Sequence, residues 1–419
     1  MISPQPARAL VAAGSTLFFL ATLAQAGQST SPAPKSGAAR PATQTAKPSA
    51  AASSAQFEQL VRDAEAARKA EQWEQAVDLY GKAIKLRPGY TEGIWYQGTA
   101  YYSLDKFAEC RDAFKRVARA APTNGAAFAF VGLCEFGLRE YDRALQDLVK
   151  SRILGVADRD LGSVARYHAA VLMTRIEQFD QALQTLGEFA AEGTDNPRII
   201  EAMGIATLRM AMLPNEVPPE RREMVLMAGR GSYMMATRQT AAAAQPFEGL
   251  VTRYPETPNV HYAYGVYLLI EQPEKAIEEF KRELQIQPNH PDSLMQIAFE
   301  YLKESNPEAA MPWAKQAVAA APKNFAAHKA LGDALLASND IDGAIAELEL
   351  SARLAPDSPS THLSLAKAYQ RAGRADAAMK EREEFARLDR LMRTNRSGAQ
   401  SVGGVEGTPA TRDSVPSPK

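Results

Sequence analysis

The sequence predicts an all-α protein built from stacked helix pairs, and three observations carry this prediction. Helical segments end in proline at a repeating interval: Pro88 and Pro122 lie 34 residues apart, and Pro288, Pro322 and Pro356 keep the same step. Small and large side chains recur at that interval. Alanine is abundant and β-branched residues are sparse, which favours helix. A fixed period of this size is typical of stacked supersecondary units.

The recurring side chains indicate how the helices of each pair would touch. Counting back from the prolines, small residues stand where two helices must approach closely: Gly98, Gly132, Ala298, Gly332 and Ala366. A second small position is followed four residues later by a large one, as in Ala76 with Tyr80 and Cys110 with Phe114. Apolar residues three and four apart form the buried stripe of a helix.

This pattern resembles the tetratricopeptide repeat, a helix–turn–helix unit of 34 residues. The resemblance implies an α-solenoid, wound as a right-handed superhelix, with about nine repeats between two disordered tails. The repeats are predicted at 57–90, 91–124, 125–158, 163–195, 224–256, 257–290, 291–324, 325–358 and 359–391. The last repeat is strongly charged, as expected of a capping unit that faces water.

The first 26 residues resemble a secretory signal peptide. Arg8 precedes an apolar core, and Ala24-Gln25-Ala26 offers a small-x-small cleavage site before Gly27. The alternative interpretation is an uncleaved membrane anchor, because the apolar run approaches the length that spans a bilayer. After cleavage we expect no membrane span, and a periplasmic or secreted location.

Composition divides the rest of the chain. Residues 27–55 are rich in Ser, Ala and Pro and are predicted to form a disordered linker, and residues 392–419 a disordered tail. A front array (57–195) and a rear array (224–391) flank an irregular segment, 196–223. That segment begins with a helix at about Pro197–Met212, which we expect to be unpaired or extended because Pro214, Pro218 and Pro219 interrupt its partner.

Charge and motifs exclude several classes of function. The 419 residues carry a formal net charge of −1, so no nucleic-acid partner is expected. No glycine-rich phosphate loop or nucleophile elbow occurs, and "MAGRGSYM" (227–234) falls within a helix by repeat register. The five histidines lack the spacing of a zinc helix. We therefore predict no catalytic residues, no metal and no cofactor.

In the tetratricopeptide repeat family, which this chain resembles, the first helix of each repeat lines an inner groove. The positions that would face it here form an aromatic and apolar front and a more polar rear: Trp95, Tyr102, Leu133, Phe136, Tyr167, Met235, His261, Met295, Phe299, Lys329 and Lys367. The lysine and asparagine clamp with which some members hold a C-terminal carboxylate is absent. One interpretation is capture of a peptide segment; the other is that neighbouring repeats bury these side chains.

Cys110 and Cys134 are the two cysteines of the chain. By repeat register they lie on antiparallel helices that pack together, so an exported chain could bridge them. The alternative is two small buried thiols chosen for size.

We therefore predict an exported scaffold that binds a protein or peptide partner in its groove. An alternative is a structural subunit of an envelope complex, acting through its convex face or by self-association. An enzyme is a further alternative, and it would require a pocket in which titratable groups converge.

Overall fold

The computed structural model describes residues 50–401, with side chains from 53 to 393, and this part of the chain is all-α. Its residues fall into two compact units that divide between Gln239 and Thr240. The first unit holds α1 (Ala50–Lys69), α2 (Trp73–Leu86), α3 (Thr91–Ser103), α4 (Phe107–Ala120), α5 (Gly125–Gly137), α6 (Tyr141–Leu154), α7 (Arg159–Arg175), α8 (Phe179–Ala191), α9 (Pro197–Thr207) and α10 (Arg222–Ala236). Short 3₁₀ turns at Pro214–Glu216 and Pro219–Arg221 separate α9 from α10.

The second unit continues the series of helix pairs. It holds α11 (Thr240–Arg253), α12 (Val260–Leu268), α13 (Pro273–Ile286), α14 (Pro291–Lys303), α15 (Pro307–Ala320), α16 (Phe325–Ala337), α17 (Ile341–Leu354), α18 (Pro359–Arg371) and α19 (Ala375–Ser401). Within each unit, helices that follow one another in the chain pack together as antiparallel neighbours. The predicted α-solenoid is confirmed.

Close packing within each pair follows the predicted alternation of small and large residues. A Cβ atom on Gly132 would lie 2.7 Å from Leu148, and one on Gly332 would lie 2.6 Å from Leu348. Gly98 faces the ring of Phe114 in the same way. The glycines are needed because any side chain there would push the paired helices apart.

A left-handed backbone residue turns the chain between the two helices of most pairs. A positive φ normally favours glycine, yet polar residues occupy most of these positions. They are Glu71, Asp105, Arg139, Glu177, Ser305, Asn339 and Gly373. Their recurrence shows that turn geometry repeats even where the sequence at the turn does not.

The segment 196–223 differs from its prediction. Helix α9 ends at Thr207 and is not unpaired, because it packs along α10. Gly204 of α9 and Gly229 of α10 meet at the crossing, where a Cβ atom on either would overlap a carbonyl of the other helix. The prolines do exclude a regular second helix directly after α9, as expected. The division into units falls at 239/240 instead of within 196–223.

Two helices extend into the segments predicted as tails. Helix α1 begins at Ala50, inside the predicted linker 27–55, and α19 continues to Ser401, inside the predicted tail 392–419. Extending an existing helix costs little, because each added residue brings its own hydrogen bond. The predicted signal peptide, residues 1–26, lies outside the described residues. Among the helices described, none is both long and apolar enough to cross a membrane.

Candidate protein-binding surface

First helices α3 and α5 carry two predicted groove residues that the structure places in the core. Tyr102 is 6% exposed and Leu133 is 3% exposed. The Tyr102 ring lies edge-on to Phe130, with ring centroids 5.9 Å apart. Successive first helices stack so closely that these side chains fill the space between them. For these two positions, burial by neighbouring repeats is the interpretation that the structure supports.

Trp95 of α3 is half-buried and contributes to the same packing. Its ring stands edge-on to Phe114 at 5.1 Å and to Phe130 at 5.5 Å, and those two phenyl rings stack at 4.3 Å. Aromatic pairs in these geometries stabilise beyond their buried area. Trp95 therefore has a structural role. Met235 of α10, another predicted groove residue, is also half-buried.

Four rings form a half-buried group that we call the front aromatic cluster: Phe136, Tyr141, Tyr167 and His168. The His168 ring lies edge-on to Phe136 at 4.7 Å and to Tyr167 at 5.5 Å, and Phe136 contacts Tyr141 at 5.6 Å. The end of α5, the start of α6 and the middle of α7 position them. Phe136 and Tyr167 are the predicted groove residues that the structure brings together; sequence reasoning missed Tyr141 and His168.

Burial favours the neutral forms of Tyr167 and His168 in this cluster. Burial raises the pKa of the Tyr167 hydroxyl to about 12 and lowers the pKa of His168. The Nδ1 of His168 lies 2.7 Å from the carbonyl of Val164, which only accepts, so Nδ1 carries the proton and Nε2 is an acceptor. The Arg175 guanidinium lies 4.9 Å from the centre of the Tyr141 ring. The cluster therefore offers aromatic surface with a few polar groups.

In the second unit, predicted groove residues are divided between core and surface. His261 is 7% exposed and Met295 is 6% exposed, so both are core residues. Both ring nitrogens of His261 are bonded within the fold, to Glu279 at 2.6 Å and to the Pro255 carbonyl at 2.8 Å. Lys367 of α18 is exposed.

Phe299 and Lys329 lie together on α14 and α16 and are both half-buried. The Lys329 ammonium lies 5.5 Å from the centre of the Phe299 ring, and it donates to Asp333 at 2.6 Å. The positive charge predicted for this region is thus partly neutralised by an aspartate one helical turn away.

The two cysteines meet in the core of the first unit. Cys110 of α4 and Cys134 of α5 are fully buried, and their Cα atoms lie 6.1 Å apart, within the range of a disulfide. The structure joins the two sulfur atoms. This geometry agrees with the predicted bridge, and the oxidation state of the protein itself stays a prediction.

Sequence reasoning missed an open cleft of about 450 Å³ between α4, α5 and α6. Cationic stems and apolar side chains line most of it. The lining residues are Lys115, Ala118, Arg119, Pro122, Phe128, Val131, Asp147 and Lys150. In the sequence, the four-residue spacing of Lys115 and Arg119 places both on one face of a helix, and this spacing could have indicated the cleft. The contribution of Lys150 comes from a different repeat and depends on packing.

An ion pair and a second carboxyl group lie beside this cleft. The Lys115 ammonium donates to the fully buried Glu135 at 2.7 Å. Burial, together with the nearby charge of Glu135, raises the pKa of Asp147 to about 6. Across residues 53–393, no group of three or more His, Cys, Asp and Glu side chains is arranged to hold a metal ion.

Family models for the tetratricopeptide repeat match residues 61–124, 96–151 and 301–360. Among solved structures, the chain is similar to MamA (41-end) from Desulfovibrio magneticus RS-1, at 20% identity and a TM-score of 0.36, over 40% of this chain and 96% of that one. It is also similar to a chain in the crystal structure of the APC/C hetero-tetramer Cut9-Hcn1, at 12% identity and a TM-score of 0.40, over 79% and 87% of the two chains. No curated protein matches the sequence.

Two kinds of observation identify the repeats in this chain. The matched segments lie in both compact units. The helix pairs, with their glycine-on-leucine contacts, repeat at the interval that the family requires. The chain therefore carries tetratricopeptide repeats in both of its compact units.

Proposed function

We propose that this protein is an exported, non-enzymatic scaffold that captures a protein partner on the front aromatic cluster. Its tetratricopeptide repeats make it a scaffold for protein–protein interaction. The proposal adds two further statements: which surface binds the partner, and that the chain is exported.

The single observation that carries the choice of surface is the front aromatic cluster itself. Its rings are half-buried, so they are held in place by packing while part of each remains open to a partner. Aromatic side chains held in this way dominate the binding energy of many interfaces. We propose that a partner segment lays apolar side chains against Phe136 and Tyr167 and donates a hydrogen bond to Nε2 of His168.

In the second unit, Lys367 and the pair of Lys329 with Phe299 form a subsidiary contact in the proposal. Lys367 is exposed and adds positive charge without a desolvation cost. Rim charges of this kind mainly change the association rate and its dependence on salt. A Lys367→Gln variant should therefore bind more slowly at low ionic strength, with little change at high ionic strength.

Site-specific photocrosslinking tests the surface. A photoreactive amino acid replaces Tyr167 in one variant and Ile153 in another, and both are expressed in cells. Ile153 is 79% exposed and lies near the end of α6, about 18 Å along the helix from Tyr141, so it reports on surface outside the cluster. We expect a partner adduct from position 167. An adduct from position 153 alone, or one containing a second copy of this chain, would instead support the structural-subunit alternative.

A paired substitution tests the energetic contribution. Phe136→Ala together with Tyr167→Ala should weaken capture of the crosslinked partner, and Ile153→Ala should leave it unchanged. Circular dichroism of the purified variants establishes that the helices are intact. Unchanged affinity in a folded double variant would contradict the assigned surface.

Export is tested separately. The signal-like pattern supports cleavage after Ala26, so the mature chain is expected to begin at Gly27 in the periplasmic or secreted fraction. N-terminal sequencing of the fractionated protein decides this. An intact N-terminus in the membrane fraction would favour the anchor, and a cytoplasmic chain would contradict export.

A further inference from the structure

Three of the five histidines share one arrangement in the second unit. Each lies near the start of a first helix, six residues after the proline that ends the preceding repeat, and bonds with both ring nitrogens. Nε2 meets the carbonyl of that proline, in the pairs His261–Pro255 (2.8 Å), His328–Pro322 (3.0 Å) and His362–Pro356 (2.9 Å). Nδ1 meets a glutamate of the second helix, in the pairs His261–Glu279, His328–Glu347 and His362–Glu381, each at 2.6 Å.

This geometry favours a ring that is protonated on both nitrogens. A carbonyl oxygen only accepts hydrogen bonds, and an ionised carboxylate also only accepts. A neutral imidazole has one N–H donor, whereas the imidazolium cation has two. Both contacts are therefore satisfied together when the ring is an imidazolium opposite a carboxylate.

We propose that these three histidines are proton-dependent clasps, each of which holds its own repeat to the one before it. The protonated ring ties the end of one repeat to both helices of the next. Loss of one proton leaves a nitrogen lone pair facing either the carboxylate or the carbonyl. One of the two contacts then breaks, and the junction between the repeats loosens.

The charges around His261 favour the cation. The hydrogen bond that His261 donates to Glu279 is the largest influence and raises the pKa of His261, and the charge of Glu283 on the same helix adds to it. Arg282 donates to the other oxygen of Glu279 at 2.7 Å, which places a positive charge on the opposite oxygen of that carboxylate. The Glu279 side chain is 8% exposed, so solvent screens the pair weakly.

His362 lies among similar charges. Burial alone lowers its pKa, but the contacts with Glu381 and the Pro356 carbonyl, together with the charge of Glu384, outweigh burial and raise it. Arg387 pairs with Glu384 on the far side of that carboxylate. At His328 the facing charged group is Glu347, and the neighbouring Lys329 is bonded to Asp333.

One junction of the second unit has no histidine at the equivalent position and serves as a comparison. In the repeat that begins with α14, the position six residues after Pro288 is Leu294, which is 1% exposed and packs in an apolar cluster. That junction has the same fold, but Leu294 cannot make the contacts of the histidine. Its own histidine, His290, instead caps α14, where Nδ1 accepts from the Ser293 N–H at 3.2 Å. Because a cap that accepts through Nδ1 does not need a protonated ring, loosening of the junction as the pH rises should appear at α12, α16 and α18 and be absent at α14.

Nitrogen-15 NMR of the histidine rings in the full-length chain is the first test. We expect both ring nitrogens of His261 and His362 to be protonated at pH 6.0. The titration midpoints of His261 and His362 should lie above the unperturbed value of about 6.5. His168, which burial holds neutral, should titrate below it. A single protonated nitrogen in His261 and His362 at pH 6.0 would overturn the proposal, and this measurement needs no variant.

Amide hydrogen exchange of the full-length chain between pH 6.0 and pH 8.5 is the second test. After correction for intrinsic rates, protection at the starts of α12, α16 and α18 should fall as the pH rises. At α12 and α18 the fall should be about tenfold for each unit by which the fold raises the pKa of the histidine. Protection at α14 should not fall. Replacing the partners together by Glu279→Gln, Glu347→Gln and Glu381→Gln should abolish the dependence. Glu278→Gln, an exposed neighbour on α13, should retain it. Equal loss at α14 would contradict the proposal.

Discussion

Gly204 of α9 and Gly229 of α10 touch backbone to backbone. A Cβ atom on Gly204 would overlap the carbonyl of Val225, and one on Gly229 would overlap the carbonyl of Ile200. The contact is reciprocal, because each glycine leaves room for a carbonyl group of the other helix. Three residues beyond each, Thr207 and Ser232 share a buried hydrogen bond of 2.6 Å. This crossing holds α9 in the first unit despite the proline-rich segment that follows it.

Gly204→Ala should destabilise the first unit by about 1–3 kcal/mol, because an added methyl group in a closely packed contact forces the helices apart. Gly229→Ala should have a similar effect. Urea denaturation followed by circular dichroism measures the change in the free energy of unfolding.

Gly187→Ala is the matched control for these substitutions. Gly187 is also in the interior of a helix, α8, but a Cβ atom there would meet only Ala236 at an ordinary 3.9 Å. Because alanine is the better helix former, this variant should gain about 0.5–1 kcal/mol. Equal destabilisation by all three substitutions would disprove the assigned role of the crossing.

The cysteine pair predicts a redox dependence of stability. A bridge between Cys110 and Cys134 closes a loop with a sequence separation of 24 residues. Such a loop is expected to stabilise the fold by about 3 kcal/mol. Reductant should lower the free energy of unfolding of the natural chain by that amount, and should leave a Cys110→Ser, Cys134→Ser variant unaffected.

Mass measurement after alkylation checks the same bridge independently. Denatured protein purified without reductant should take up two alkyl groups only when reductant is then added. Two adducts without reductant would identify a pair of buried thiols instead.

Asp147 predicts a pH dependence of the first unit. Its pKa in the folded chain, about 6, is higher than the value of about 3.9 expected in an unfolded one. Between these values the folded state binds the proton more tightly, so stability falls as the pH rises from about 4 to about 6. Asp147→Asn removes the charge and should gain about 1 kcal/mol at pH 7, after allowance for the partial exposure of the group.

Asp142→Asn, at an exposed position on the same helix, serves as the control and should change stability little. Denaturation at pH 4.5 and pH 7.0 distinguishes the variants. The prediction fails if Asp147→Asn retains the full pH dependence of the natural chain over this window, since other carboxylates would then be responsible.

Glu283 is a buried cap for the start of α12. Its carboxylate accepts from the backbone N–H groups of Asn259 (2.8 Å) and Tyr262 (3.2 Å) and from the Gln287 side chain (2.8 Å). In Glu283→Gln one acceptor oxygen becomes a donor that faces other donors. We expect a loss of about 1–3 kcal/mol, measured by thermal or urea unfolding, because a buried donor is left without a partner. A loss no larger than that of Glu278→Gln would contradict the capping role.

The sequence predicted the repeats because their signals are local and periodic. A proline that ends a helix, or a glycine opposite a large side chain as in Gly132 with Leu148, acts over one or two turns and recurs in every repeat. The same register placed Cys110 and Cys134 on facing helices. These features depend on the residue type at each position, through its size and its preferred backbone geometry, and a single sequence gives the residue type directly.

Prediction of the groove was less complete, because exposure depends on how successive first helices interleave. Repeat position marked Tyr102 and Phe136 as equivalent groove residues, yet the structure buries the first and leaves the second half-exposed. The difference arises from neighbours such as Phe130, whose size decides whether a ring faces solvent. Such neighbours come from other repeats and are not marked by the period.

By itself, the sequence determined that this chain folds as a series of helix pairs, and where most pairs begin and end, because periodic burial and helix-ending residues act within a single repeat. Tertiary structure alone decided that α9 crosses α10 at Gly204 and Gly229, which rings remain open in the front aromatic cluster, and that His261 is bonded at both nitrogens. Each of these depends on contacts between residues well separated in the chain. The distance and orientation of such contacts are set only when the helices have packed.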